Sequence, residues 1–425
     1  MKLLTNILSF VVLTTVFHTA CAQSQYELLY LERDYASIAK LSGQLVDSSD
    51  YYWNAIAKKQ QGHLGSAIDV LISGTELYPG YQQLEKLLAE NLFVAGRYVE
   101  ARPLLEKYRS DQAFFFRYIR VLEFNAENKL AIQHLEERLE SDLLNIELLS
   151  RLGDNYDETG QILSARDTYR KVVRINPKDI VTLGKLANIQ LRLKEYEGAI
   201  ANCEKGLLLD STNSPLTRIK GLASFRKSDF ITSAACFRQI LASGDSGIVI
   251  LKHLGISEIK NYDFHGAREH LLLAREKDTT DYELCFFLGR AFLNSTMPDS
   301  GLYYLAAADT LLVPDPEVLT VIHLEKASIY STLEQYEKVL QEYRLAYADT
   351  PKPAYLFYMA SNYQYRMEDK QKALEFYERF LEELPPVDTD GRQTLRKQTS
   401  ISMKKVAQDA VRDLKEELFF EGKLE

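Results

Sequence analysis

Residues 146–179 read IELLSRLGDNYDETGQILSARDTYRKVVRINPKD. Leu149, Leu152, Gly153 and Tyr156 fall at i, i+3, i+4 and i+7, the spacing of one helical face. Gly160 interrupts that helix, and Ala165, Tyr169, Val172 and Val173 resume the period on a second one. Asn176-Pro177 closes it, because proline cannot donate a hydrogen bond and its predecessor avoids helical angles. Small residues at Gly153 and Ala165 suit two helices that cross closely, with Tyr156 and Tyr169 filling the space around them. One such hairpin cannot bury its apolar face alone and needs a neighbour on each side.

The pattern recurs. Units starting at 112, 146, 180, 214, 248 and 282 keep one spacing, and further copies start near 48, 82, 320 and 353. The unit at 82–111 is four residues short. The quoted stretch resembles the tetratricopeptide repeat, whose period is 34 residues. The matching positions are Leu149, Leu152, Gly153, Tyr156, Gly160, Ala165, Tyr169 and Pro177. The resemblance implies an all-α fold, an α-solenoid of such hairpins forming a right-handed superhelix.

The organisation expected is a signal peptide at 1–22, an N-terminal capping hairpin at 23–47 and a repeat array at 48–313. A proline-containing, non-helical connection at 314–319 follows, read as a loop insertion or a hinge. Two further repeats occupy 320–388, and a capping helix lies within 389–425. On that last helix Leu395, Met403, Val406, Ala410, Leu414 and Leu418 form the apolar stripe. The capping hairpin is marked by Tyr26, Leu28, Leu29 and Leu31, then Tyr35, Ile38, Leu41 and Leu45.

The leader reading rests on Met1-Lys2, the apolar run Leu3 to Phe17, and Ala20-Cys21-Ala22 before Gln23. Two processing routes stay open: cleavage after Ala22, or lipidation of Cys21, against which His18 departs from a lipobox. Both export the chain, to the periplasm or the outer membrane of a bacterium. A membrane association would come only through that lipid.

A net charge of −9 argues against nucleic-acid or anionic-membrane binding, which calls for basic excess. No phosphate-binding, dinucleotide or zinc-protease motif occurs, so no enzyme, cofactor or metal is expected. His265, Glu269 and His270 are the nearest metal-like group, but their spacing fits a solvated surface better. Asp154, Asp157 and Glu158 form an acidic edge on one helix rather than a calcium loop. Cys203, Cys236 and Cys285 read as buried small hydrophobes, with a Cys203–Cys236 bridge as the alternative.

The resemblance further implies that the first helix of each unit lines a concave face. Carried onto this sequence, that lining is basic and aromatic in the middle units: Arg192, Arg218, Phe225, Arg226, Lys252, Lys260, Phe286 and Arg290. Glu283 is the one acidic residue among those lining positions. Arginine forks suit carboxylates and phenylalanine an apolar anchor, so the expected partner is a protein or peptide segment of acidic character. Lysine and asparagine at the family's carboxylate-clamp positions are matched only singly, by Lys252 and Asn188, so a chaperone C-terminus is not the expected ligand. The expected function is a non-enzymatic exported scaffold in envelope assembly or secretion. A glycan- or nutrient-binding surface lipoprotein and the sensor arm of an envelope signalling system are the alternatives.

Overall fold

The computed structural model describes residues 25–41, 45–293, 297–311, 315–384 and 395–423. The leader at 1–22 with Cys21, and 385–394 between the last repeat and the final helix, lie outside them.

The described residues are helical, and within each of two compact units each helix packs on the next. A repeat is a first helix of about four turns and a second that returns beside it, as in Ile146–Glu158 with Ile162–Ile175. Most first helices begin on a side-chain cap: Asp47, Asp111, Asn145, Asp179, Asn213 and Asp315 each accept from backbone N–H groups of the first turn. Between the helices one residue takes the left-handed region. It is glycine at Gly62, Gly96 and Gly160, but Ala126, Lys194, Ser228, Tyr262, Glu334 and Glu368 elsewhere. Except at Glu368 the geometry is shared: the N–H of Gln161 reaches Tyr156 O at 2.8 Å, and that of Glu195 reaches Gln190 O at 2.8 Å.

The close crossing inferred from Gly153 is observed. A Cβ there would fall 2.5 Å from Tyr169 Cε1. The same position is closed by Leu271 over Gly255 and by Leu305 over Gly289. Ala165, Tyr169 and Val172 are buried with Leu148, Leu149 and Leu152, while Tyr156 stays half-buried.

The helices divide into two compact units, one ending at Asn176 and one beginning at Pro177. The division does not fall at the proline-containing stretch. Residues 316–319, expected to be non-helical, are the first turn of Pro316–Thr332. Asp315 caps that helix and Pro316 takes the first position, where its missing N–H costs nothing. This first helix has 17 residues against 13 in Ile180–Arg192, so the four-residue slip is one added helical turn. The short unit at 82–111 is the reverse case: its second helix, Tyr98–Lys107, has 10 residues where Ile162–Ile175 has 14.

Two stripes differ from expectation. In the first hairpin Leu28 and Leu31 are exposed, and Leu29, Tyr30 and Ile38 pack toward Trp53 instead. On the last helix, Leu395–Phe420, Val406 is 48% exposed, while Ala407 and Val411 join Ala410, Leu414 and Leu418 over Lys370–Glu383. Met403, Ala410, Leu414 and Leu418 of the expected stripe do pack there, and Val406 gives way to Ala407.

Candidate functional site

In the unit beginning at Pro177, successive first helices touch each other directly, from Ile180–Arg192 through Ser214–Arg226, Ile248–Lys260 and Tyr282–Leu293 to Pro316–Thr332. Among the described residues no successive second helices do so to that extent. The first helices therefore form the tightly spaced wall of this unit, and all eight lining residues named from sequence are on them.

Their charges are not all available. Arg218 Nη2 lies 2.7 Å from Asp245 Oδ2. Lys252 Nζ lies 2.6 Å from Asp281 Oδ2 and also pairs with Glu283. Burial alone would lower the Lys252 pKa, but these two carboxylates raise it, so the ammonium is held charged and occupied. Arg290 Nε lies 3.1 Å from Glu325 Oε1, with its guanidinium over the Phe286 ring. The uninterrupted basic run is thus corrected to a set of ties between neighbouring repeats. Lys86 and Asp111 make the same tie at 3.5 Å in the other unit. In each of the three lysine or arginine ties to an aspartate, the base is the fifth residue of a first helix. The acid precedes the next first helix, outside the lining positions on which the acidic residues were sought.

Arg226 and Lys260 are exposed with no carboxylate at ion-pair distance among the described residues. Phe225 is half-buried, its ring 5.6 Å from Phe230 and 5.0 Å from His253. Burial, with help from Arg226 and Lys252, holds the His253 pKa below its ordinary value, against a contact of Nδ1 with Val249 O.

Two of the eight residues meet in one place. Arg192 and Arg226 line a cavity of about 410 Å³ with Leu191, Lys194, Tyr196 and Leu222. Its walls are two leucines and a tyrosine, and its charged groups are two guanidiniums and an ammonium. Leu191, Lys194, Tyr196 and Leu222 were not among the site residues named from sequence. Leu191 and Leu222 do stand at the twelfth and ninth positions of their first helices, so the family pattern reached them, but only charged and aromatic residues were picked from it.

The metal-like triplet does not assemble. His265 lies 3.7 Å from Glu269 on the surface, whereas His270 turns to Glu258 at 2.7 Å. Glu258 is 1% exposed and also accepts from Arg238 at 2.7 Å. Of the acidic edge, Asp154 accepts the Tyr169 hydroxyl at 2.7 Å. Cys203, Cys236 and Cys285 are buried and free, and burial pushes the Cys203 thiol up to about 12.

Comparison with known proteins bears on the repeats. Tetratricopeptide repeat models match residues 146–179 and 354–385. A curated relative, the uncharacterised protein ycf37 of Pyropia yezoensis, is 29% identical over 148 residues, 33% of this chain and 82% of that protein. Among solved structures, YrrB, described as a TPR protein with an unusual peptide-binding site, is 24% identical over 44% of this chain and 94% of its own, at a TM-score of 0.39. The C-terminal part of a TPR repeat-containing protein from Cytophaga hutchinsonii is 14% identical over 56% and 96%, at 0.44. Yeast Tom70 is 15% identical over 91% and 95%, at 0.36.

Proposed function

We infer that this tetratricopeptide repeat protein, an interaction scaffold by its repeats, holds an extended protein segment against the first-helix wall that begins at Ile180. The observation that carries this is the cavity of Leu191, Arg192, Lys194, Tyr196, Leu222 and Arg226. A segment that sets an acidic side chain beside an apolar one matches it: the carboxylate reaches the guanidiniums and the apolar group the leucine wall. Charge-assisted hydrogen bonds of this kind contribute about 1.5–3 kcal/mol each, roughly ten- to a hundredfold in affinity. The scaffold acts by holding, without catalysis. The leader pattern at 1–22 supports an exported protein of the periplasm or outer membrane, and a role in envelope assembly or secretion follows from that location.

Fluorescence polarisation with labelled Glu-Phe-Glu and Arg-Phe-Arg peptides tests the site. The acidic peptide should bind and should lose roughly tenfold or more in the Arg192→Glu, Arg226→Glu double variant. Equal binding to both proteins would end the reading. Mass spectrometry of the mature N-terminus, starting at Gln23 or at a lipidated Cys21, tests the leader; an uncleaved Met1 would refute export by this route.

A further inference from the structure

Two rows of cations run along the first-helix wall of the unit beginning at Pro177, and they differ in what surrounds them. The row of fifth residues holds Arg218 and Lys252, each neutralised by an aspartate that precedes the next first helix, Asp245 and Asp281. The row of thirteenth residues is Arg192, Arg226 and Lys260, which end the helices Ile180–Arg192, Ser214–Arg226 and Ile248–Lys260. All three are exposed. For Arg226 and Lys260 no carboxylate among the described residues comes within ion-pair distance. One row is thus satisfied within the protein, and the other turns its charge to solvent.

A cation in the last turn of a helix also suits the helix dipole. That does not account for the row. The same station carries Phe124 in Gln112–Phe124 and Glu158 in Ile146–Glu158, helices of the same 13 residues. The hairpin closes on an aromatic ring or on an acid as well as on a base. The second observation is the cavity, which lies between the first two rungs of the row and joins Arg192 and Arg226 to the apolar side chains Leu191 and Leu222. Lys260 repeats the cationic station one repeat further on.

The spacing of the row says which backbone fits it. These first helices touch directly, so their axes lie about 8–10 Å apart, and equivalent residues are separated by about as much. A β-strand brings side chains back to one face every second residue, at about 6.6 Å and then about 13 Å, and so misses the rungs. A polyproline II segment has three residues per turn and rises 3.1 Å per residue, so every third side chain returns to one face after about 9 Å. It also leaves its backbone to solvent and asks for no strand edge, which an all-helical wall does not offer.

We propose that this row binds a polyproline II segment whose acidic residues recur at every third position, two of them at the cavity and the third on Lys260. The inference rests on the acidic-segment reading of the cavity and extends it by one repeat. Selection then depends on the spacing of the acids as well as on their charge. The residues between the acids lie against the leucine wall, which suits proline or another apolar side chain.

The test uses the full chain and two labelled peptides of equal composition, Glu-Pro-Pro-Glu-Pro-Pro-Glu and Pro-Glu-Pro-Glu-Pro-Glu-Pro, with Glu-Phe-Glu as the probe of the cavity alone. Fluorescence polarisation should give the first peptide roughly tenfold or more higher affinity than the second, falling as salt is raised. Lys260→Glu should weaken the first peptide roughly tenfold or more and abolish its lead, and Lys260→Gln should do so to a smaller extent. Thermal melts by circular dichroism verify that both variants fold. Equal binding of the two proline peptides, or a first peptide indifferent to both Lys260 variants, overturns the proposal. In that event a Glu-Phe-Glu peptide that still responds to Arg192→Glu, Arg226→Glu leaves the acidic-segment reading standing. If none of the three peptides binds the parent, both readings fall.

Discussion

Replacing Gly153 by alanine sets helix propensity against the helix crossing, and the distances say which prevails. Alanine in a helix interior gains about 1 kcal/mol over glycine. The new Cβ would sit 2.5, 2.8 and 3.0 Å from Tyr169 Cε1, Cδ1 and Cζ. Ordinary carbon contact needs about 3.5 Å, so the ring has to withdraw by roughly 1 Å. It has little freedom to do so. Tyr169 is 2% exposed and its hydroxyl donates to Asp154 at 2.7 Å. Overpacking costs about 1–3 kcal/mol and a lost hydrogen bond about 1 more, so the net is a destabilisation of about 1–3 kcal/mol. The next repeat contains the remedy: Ala187 and Cys203 stand at the equivalent positions, both buried in one cluster. Tyr169→Cys by itself should cost about 3–5 kcal/mol by removing a buried ring. On that background Gly153→Ala should be neutral or stabilising by up to about 1 kcal/mol. Urea denaturation of the four proteins, with amide hydrogen exchange across 146–179, reads the coupling, expected at about 2–3 kcal/mol. Equal effects of Gly153→Ala on both backgrounds would refute the close-crossing account. Gly65, with nothing within 4 Å of the place its Cβ would take, is the control.

Lys194 holds φ 62°, so Lys194→Gly should stabilise by about 0.5–1 kcal/mol, whereas Gly160→Ala, at φ 74° in open space, should cost about 1; melting temperatures check both signs. His270 has its pKa raised, chiefly by the hydrogen bond to Glu258, so its contribution is complete below the unfolded value near 6.5 and fades as pH rises through the folded value. His253 is lowered, chiefly by burial, so its contribution is present above 6.5 and lost as pH falls. Melts of His270→Gln and His253→Gln between pH 5 and 8.5 should therefore diverge from the parent at opposite ends of the range. Lys252→Met strips two carboxylates of a half-buried partner and should cost about 1–3 kcal/mol, while Arg218→Met breaks an exposed pair and should cost under about 1, by urea midpoints. Cys203, Cys236 and Cys285 should resist a thiol reagent in the native protein and react only after denaturation, counted by absorbance.

The fold was legible because a hairpin's core positions answer only to their own repeat. Gly153 and Tyr169 can be read together from a single stretch, since the glycine exists to admit the ring. The site was less legible because its charges answer to the following repeat. Arg218 and Lys252 look like free lining cations until Asp245 and Asp281 come up beside them. Those acids lie 27 and 29 residues on, in turns that the repeat pattern leaves unconstrained. A recurrent base at the fifth position followed by an acid before the next first helix was the available signal. The proline stretch misled for a related reason: Pro316 ends helices from within but begins one when Asp315 caps it.

The cavity at Arg226 and its repeat-equivalent in the other unit, lined by Glu123, Arg151, Asp154 and Glu158 among others, differ at positions outside the core. Glu123 and Leu191 occupy the same place on the same backbone, as do Glu158 and Arg226. Neither Glu158 nor Arg226 is needed to close a hairpin, so that position is open to either sign, whereas Glu123 is held by Arg151 and Asn155 of the next repeat. A position that the core does not constrain can be fitted to a ligand at no cost in stability. Charge reversal at Arg226 should therefore weaken the acidic peptide, and reversal at Arg226 or at Glu158 should change stability by less than about 1 kcal/mol. Were either reversal instead to unfold its repeat, the station would be part of the packing, and its chemistry would carry no information about a partner.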